Sequence, residues 1–382
     1  MKFGLLQEAE TPLGTTHAAR YHELVKEAVA AEEAGFDFWG GSEQHFNPSS
    51  STVSSPFLLY SYIASKTHTI KLRSQIIIAL HKMNHPVRIA EQAATLDILS
   101  KGRFELGIGR GNNPRAIDTF GIDARDTRRE MLESLEVIGG LLGNNDIYEF
   151  HGETIDVPPT RISPRPYSDP VMPIYLVATS AESHEIAGDL GVGCINFDNW
   201  LGVETVLEPM EHYKRAIRNP RSPISDRITN EICWNAITAY CAPTKREAVE
   251  TAGDIALSYL GRVAANTYGK LAARSKDYAY MAETGRQLAE IHERGDLDAL
   301  MERTPTVLLG DPDFFIERIK WLESLGFTEI TLRVEGMGHR KVLEAIDLIG
   351  RYVIPEFRQP NAIARPFTGH EVDGGNSPGR IA

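Results

Sequence analysis

The strongest constraint on what this chain can fold into is a rhythm. Short apolar runs of strand length alternate with longer amphipathic stretches, the pattern of βαβ units around a parallel sheet. The first run is Phe3 to Gln7. An amphipathic stretch from Tyr21 to Ala34 follows, with Leu24, Ala28, Ala31 and Ala34 near helical spacing, and Gly35 stops it. The pairs that follow are Phe36–Gly40 with Pro56–Lys66, Ile70–Leu80 with Pro86–Leu99, and Phe104–Ile108 with Arg128–Leu142. A proline-rich excursion over 144–172 reads as irregular with a hairpin. The rhythm then resumes with Ile174–Ala178 and Ala181–Leu190, Cys194–Phe197 and Val203–Ile217, and the seventh strand Glu231–Cys241. The last unit is Thr328–Val334, between helices Pro312–Leu325 and Val342–Tyr352. Eight strand–helix units predict an α/β fold, a (β/α)8 TIM barrel, over residues 1–357. The interval 242–311 is mostly helical by composition and too long for a plain loop, so it reads as an insertion between strands seven and eight, a lid over the barrel mouth. Residues 358–382 form a polar C-terminal tail.

Composition narrows the class. Of 382 residues, 42% are hydrophobic and 24% charged, so the chain is globular and neither disordered nor fibrous. A net charge of −12 repels phosphate backbones and argues against a nucleic-acid partner. No apolar run approaches the ~20 residues a membrane helix needs, and the N-terminal run is too short for a signal peptide. Cys194, Cys233 and Cys241 are odd in number and lie in apolar runs, so they read as buried thiols in a reducing cytoplasm.

In a barrel of this kind, chemistry belongs at the C-terminal ends of the strands. Four polar clusters stand there: Glu43-Gln44-His45; His81, Lys82, Asn84 and His85; Gly109-Arg110-Gly111-Asn112-Asn113; and Thr179-Ser180-Ala181-Glu182-Ser183. The last opens a helix, where hydroxyls and free N–H groups form either a simple N-cap or an anion seat. Arg110, on a glycine-flanked turn at another strand end, shifts the balance towards a phosphate. Gly107-Ile108-Gly109-Arg110-Gly111 is not a dinucleotide fingerprint, because Asn112 holds the place of the third glycine. No metal-ligand spacing is present: His81 and His85 are four apart, but Pro86 disfavours helical geometry at His85. His45, with Glu43 and Gln44 beside it, is suited to proton transfer near neutral pH. Trp200, after the sixth strand, could flank a flat ring, and Trp234 reads as core.

These residues carry a resemblance. The run His85-Pro86-Val87-Arg88, then Leu96-Asp97, then Ser100-Lys101-Gly102-Arg103-Phe104, closing on Gly107-Ile108 and Arg110-Gly111, resembles the bacterial luciferase-like flavin-dependent monooxygenases. Met1-Lys2-Phe3-Gly4, Gly35-Phe36-Asp37, Glu43-Gln44-His45-Phe46, Tyr175–Ser180 and Gly310-Asp311-Pro312 fit that family in the same order. The resemblance implies FMN at the barrel mouth and monooxygenation with reduced flavin and dioxygen. It assigns Arg110 and Ser180 to the FMN phosphate, with Thr179 and Ser183 nearby, and adds Ala178, Ile78 and Asn113 to the cofactor contacts. Its catalytic histidine commonly lies in Glu-His-His-Phe. Here Gln44 stands at the first histidine and His45 is kept, so Glu43, Gln44 and His45 are the expected catalytic group. Two further departures are the bulk of Ile77-Ile78 behind the flavin ring and Asn113 at a position aromatic in luciferase.

The expected activity is therefore oxygenation of a small organic substrate by a two-component system. Reduced FMN would come from a separate flavin reductase, since no domain is left over for nicotinamide. Rivals are an oxidoreductase using the deazaflavin coenzyme F420 on the same barrel, and a non-catalytic flavin-binding partner subunit. Family habit adds a homodimer through the helices near strands two and three.

Overall fold

The structure, a computed structural model, describes residues 1–48, 51–143, 147–197, 202–263, 269–276, 279, 281–303 and 305–358. The first half of the chain is a string of βα units: β1 (Lys2–Leu6), α1 (His17–Glu33), β2 (Phe38–Ser42), α2 (Pro56–Ala64), β3 (Lys71–Ile78), α3 (Pro86–Ser100) and β4 (Phe104–Gly109). Two of these helices begin where the sequence supplies a side-chain cap, whereas α2 has only Pro56 at its first position. Thr16 accepts from the Ala19 N–H at 3.1 Å, so α1 starts ahead of the apolar periodicity at Tyr21. His85 caps α3, with Pro86 at its first position. A short α4 (Pro114–Thr119), which the apolar pattern does not predict, precedes α5 (Thr127–Gly143).

The proline-rich excursion contains the expected hairpin, β5 (Tyr148–His151) and β6 (Asp156–Thr160). The chain then runs through β7 (Ile174–Ala178), α6 (Ala181–Asp189), β8 (Gly193–Asn196), α7 (Glu204–Ala216) and β9 (Ile232–Ala236). Here the expected single strand Glu231–Cys241 is two. The chain leaves the barrel at Ile237, and β10 (Thr238–Cys241) pairs in parallel with β11 (Val307–Gly310) outside it. Between them lie α8 (Lys245–Val263), α9 (Gly269–Ala272), α10 (Met281–Arg294) and α11 (Leu297–Arg303). After β11 come α12 (Pro312–Leu325), β12 (Glu329–Arg333) and α13 (His339–Leu348), which widens into a π turn over Ile349–Val353.

Eight parallel strands close in the order β1-β12-β9-β8-β7-β4-β3-β2. The seam pairs Lys2 with Glu329 through Leu6 with Arg333. This is the expected (β/α)8 barrel. The apolar core lies between the strands and the surrounding helices, whereas Phe38, Tyr175, Ile195 and Cys233 form a separate small cluster with Val177 packed against it. A bulge in β3 between Ser74 and Ile77 carries the strand towards β4. Glycine is required opposite it, since a Cβ on Gly107 would lie 2.0 Å from the Ser74 carbonyl oxygen. The three cysteines are free and buried, as expected. Among the described residues, no helix is long and apolar enough to cross a membrane.

Candidate active site

The site is built from the ends of four neighbouring strands, β2, β3, β4 and β7. Beyond β2 the Glu43 N–H donates to the Ile76 carbonyl at 2.9 Å, which continues the pairing with β3 for one more residue. The buried Glu43 carboxylate accepts from the Ile78 N–H at 2.8 Å and from the Asn84 amide at 2.9 Å to each oxygen. It also meets His45 Nε2 at 2.9 Å. A carboxylate only accepts, so Nε2 carries a proton and turns Nδ1 away from Glu43. The Asn113 amide donates to the His45 carbonyl at 2.6 Å, and the Phe120 ring stands edge-on to the imidazole at 5.3 Å. Both the backbone and the ring of His45 are thus held. Gln44 beside it donates its N–H to the Val53 carbonyl at 2.9 Å and accepts from the Asn47 amide at 3.4 Å.

The far end of the site is cationic. Arg110 follows β4, and Arg128, in the first turn of α5, pairs with Glu182. Facing them is the start of α6, where Ser180 is the N-cap and forms a reciprocal capping box with Ser183. The Ser183 hydroxyl accepts from the N–H groups of Thr179 at 3.0 Å and Ser180 at 2.9 Å, and lies 3.1 Å from the Ser180 hydroxyl. The simple N-cap reading of these residues is therefore correct as far as it goes. It leaves the N–H groups of Ala181 and Glu182 without intrahelical acceptors, at the positive end of the helix. Two guanidinium groups with those N–H groups make a seat for a dianion.

One buried histidine supports this end. His184 Nδ1 lies 2.8 Å from the Ser180 carbonyl, and Nε2 lies 3.0 Å from the Asn196 amide nitrogen on β8. Burial pushes its pKa down to about 4, assisted by His212, so at neutral pH it is uncharged. It binds the first turn of α6 to the barrel.

The Glu43–His45 group and the cationic end line one cleft of about 1120 Å³, its open mouth included, with an apolar middle of Ile76, Ile78, Met131 and Val177. Such a size sits at the upper edge of the roughly 300–1,000 Å³ usual for small-molecule sites. Glu43, Gln44, His45, Ile78, Arg110, Asn113, Thr179, Ser180 and Ser183, all expected from sequence, line it. Ala178 does not. Val177 packs on the Phe38–Tyr175 cluster, so strand alternation turns Ala178 to the opposite face, where it is fully buried in the main core. Trp200 lies outside the described residues, and Trp234 is fully buried. Sequence reasoning missed Arg128 as a site residue and Asn84 as the partner of Glu43. A signal for Arg128 existed: helix N-termini share the mouth with strand C-termini, so a cation in the first turn of a βα helix faces the site.

With the geometry in place, comparison with known proteins gives a consistent picture. The chain is 24% identical over 359 residues to the oxygenase component of the flavin-dependent trigonelline monooxygenase of Acinetobacter baylyi, covering 92% of this chain and 94% of that one. Its fold is similar to the oxygenating constituent of 3,6-diketocamphane monooxygenase from Pseudomonas putida, solved with FMN. That match has a TM-score of 0.71 and 20% identity, covering 93% of this chain and 98% of the other. A comparable likeness, TM-score 0.70 at 16% identity over 94% and 99% of the two chains, is to an F420-dependent secondary alcohol dehydrogenase. Residues 1–329 match the family model described as luciferase-like monooxygenase, and the chain belongs to that family.

Proposed function

We propose that the chain is the oxygenase component of a two-component monooxygenase that takes reduced FMN from a separate flavin reductase and, with dioxygen, oxygenates a small organic substrate. The observation that carries this reading is the polarity of one cleft. Arg110, Arg128 and the start of α6 converge at one end, the middle is apolar, and His45 stands at the other end. A molecule with a dianionic phosphate, a flat apolar body and a reactive edge needs that order of groups. The oxygenase component named among the relatives and the FMN-bound neighbour support the same reading. The barrel by itself suits either FMN or coenzyme F420, since proteins using each share it. Support for FMN comes from Glu43-Gln44-His45-Phe46, which resembles the family's Glu-His-His-Phe.

Reduced FMN, when bound, supplies the two electrons that let one atom of dioxygen enter the substrate while the other leaves as water. The chain's own residues supply the rest. Arg110 and Arg128, with Thr179, Ser180 and the N–H groups of α6, would hold the phosphate. Ile76, Ile78, Val177 and Met131 would supply the apolar surface against which a flat ring is held. His45, held through Nε2 by Glu43, exchanges protons at Nδ1. The insertion reaches the rim of the cleft at Arg274, which grips Asp118 on α4, and from there would help to keep water from the reacting centre. Exposed Leu58 and Tyr62 on α2, with Ile98 and Leu99 on α3, supply an apolar face for the homodimer.

Flavin titration tests this directly. Replacing Arg110→Ala and Ser180→Ala together should weaken FMN binding, followed by quenching of its fluorescence, by at least about tenfold, or ~1.4 kcal/mol. Unchanged uptake would reject the phosphate seat. Tighter binding of F420 than of FMN by the unmodified chain would replace the cofactor.

A further inference from the structure

A second pocket opens beside the cleft and is used by nothing described so far. It encloses about 950 Å³, its open mouth included, and Asn113 lines both spaces. Its other walls include Phe46, Arg115, Asp118, Lys270 and Arg274. Arg274 grips Asp118 through two hydrogen bonds of 2.6 and 3.0 Å, and reaches the Pro114 carbonyl at 3.3 Å. This fastens the insertion to α4 and makes it one wall of the pocket. Phe46 presents an aromatic ring that is 41% exposed, on a backbone at φ 63°. The Arg115 guanidinium lies 5.8 Å from the centre of that ring.

Two features of this pocket select a ligand. First, three cations face one carboxylate among the described lining residues, in a chain whose net charge is −12. An anion approaching this protein meets repulsion over most of the surface and attraction here. Second, the large apolar surface beside those cations is the half-exposed Phe46 ring, which takes a flat partner edge-on or by offset stacking. Arg115 and Lys270 have exposed side chains, and Arg115 can offer a planar fork to a carboxylate. The far end of a molecule seated this way meets the Asn113 wall, and the Asn113 amide is bound to the His45 carbonyl.

We propose that this outer pocket seats the substrate, and that the substrate is a flat aromatic acid whose carboxylate is held by Arg115 and Lys270 with its ring on Phe46. The inference rests on the inner cleft being the flavin site, which leaves the outer pocket as the place from which a second molecule reaches His45.

Calorimetric titration of the full chain with 2-naphthoate, and with uncharged 2-naphthamide, tests it. The acid should bind at least about tenfold more tightly than the amide, and raised salt should shrink the difference. The double variant Arg115→Glu with Lys270→Glu, at two exposed positions, should lose that preference while FMN affinity stays within about twofold. Phe46→Leu, which keeps an apolar side chain on the same backbone, should weaken both probes. Equal binding of acid and amide, absence of acid binding, or unchanged preference in the double variant would each overturn the proposal. FMN uptake without a preference for the acid removes the outer site alone. A preference for the acid without FMN uptake removes the flavin reading and leaves an anion pocket.

Discussion

At the scale of single residues, the question is what Glu43 does. Three separate donors, the Ile78 N–H, the Asn84 amide and His45 Nε2, converge on its carboxylate. On the proposed reading, a residue so fully occupied would position His45 and leave the exchange of protons to the imidazole. Glu43→Gln would turn an amide NH2 towards at least one of those donors and release the imidazole from its tautomer. Single-turnover oxygenation should then fall by about 10²-fold, the low end for general acid–base work, with FMN affinity within about twofold. His45→Ala should cost about as much, and the double variant little more, because the two act as one unit. Additive losses would mean that Glu43 touches the reacting atoms in its own right. The thiols give a simpler check. Cys194, Cys233 and Cys241 are buried, and burial pushes the Cys233 thiol up to about 12. None should react with a thiol reagent until the protein unfolds, and then all three should. His45 and Arg110 were legible in the sequence because both stand where an apolar strand run stops. Asn84 was visible as a polar residue after β3, but its bond to Glu43 spans 41 positions and depends on how the β3 bulge sets two strand ends side by side.

At the scale of elements, α6 is the one whose anchoring has a pH signature. His184 is neutral in the folded chain, with Nε2 facing the Asn196 amide nitrogen and Nδ1 facing the Ser180 carbonyl. Protonation would set a donor against a donor inside the core. Its folded pKa of about 4 lies below the ordinary 6.5, so between those values the unfolded chain binds more protons than the folded one. Stability therefore falls as pH drops through this window, and the full gap is worth about 3 kcal/mol. Urea unfolding at pH 7 and pH 4.5 should show a loss in the unmodified chain that is smaller by that order in His184→Gln. Equal losses would place the acid sensitivity elsewhere. Most strands and helices were legible because apolar period and caps agree, as at Ile174–Ala178 and Pro312–Leu325. The seventh strand was not. Ile232 to Ala242 is almost unbroken apolar sequence with no glycine or proline, so nothing local marks Ile237 as the point where the chain leaves the barrel. Its partner, Val307–Gly310, pairs with it across the whole insertion, and a pairing of that range has no local signature. The short α4 escaped for a different reason. Its helix is set by Asn113 capping Arg115 and Ala116, and six residues are too few for a periodicity.

At the scale of the whole molecule, the barrel is closed by a charge and not only by apolar packing. Arg73 on β3 is 1% exposed and lies between the rings of Phe38 and Tyr175, at 3.8 and 3.9 Å from their centres. Its guanidinium donates to Glu105 on β4 at 2.6 Å, to the Tyr175 hydroxyl on β7 at 2.8 Å, and to both carboxylate oxygens of Glu329 on β12, one of them at 3.0 Å. Lys2 on β1 reaches Glu329 at 3.3 Å, across the seam. One buried side chain therefore meets residues from β2, β4, β7 and β12, and its acceptor Glu329 carries the contact to β1. Burial opposes the charge on Glu329, yet Arg73 and Lys2 hold its carboxyl below its ordinary range, so the pair stays ionised. Removing one partner of such a buried pair leaves the other uncompensated, whereas neutralising both is far less harmful. Arg73→Met should lower the unfolding free energy by about 3–5 kcal/mol, read as a drop in the urea midpoint at pH 7. Adding Glu329→Gln should recover part of that loss, because Lys2 and the Tyr175 hydroxyl then face an amide in place of a stranded carboxylate. A double variant no more stable than Arg73→Met would place the loss in the Glu105 contact and the stacking of the guanidinium between Phe38 and Tyr175, and not in a stranded Glu329.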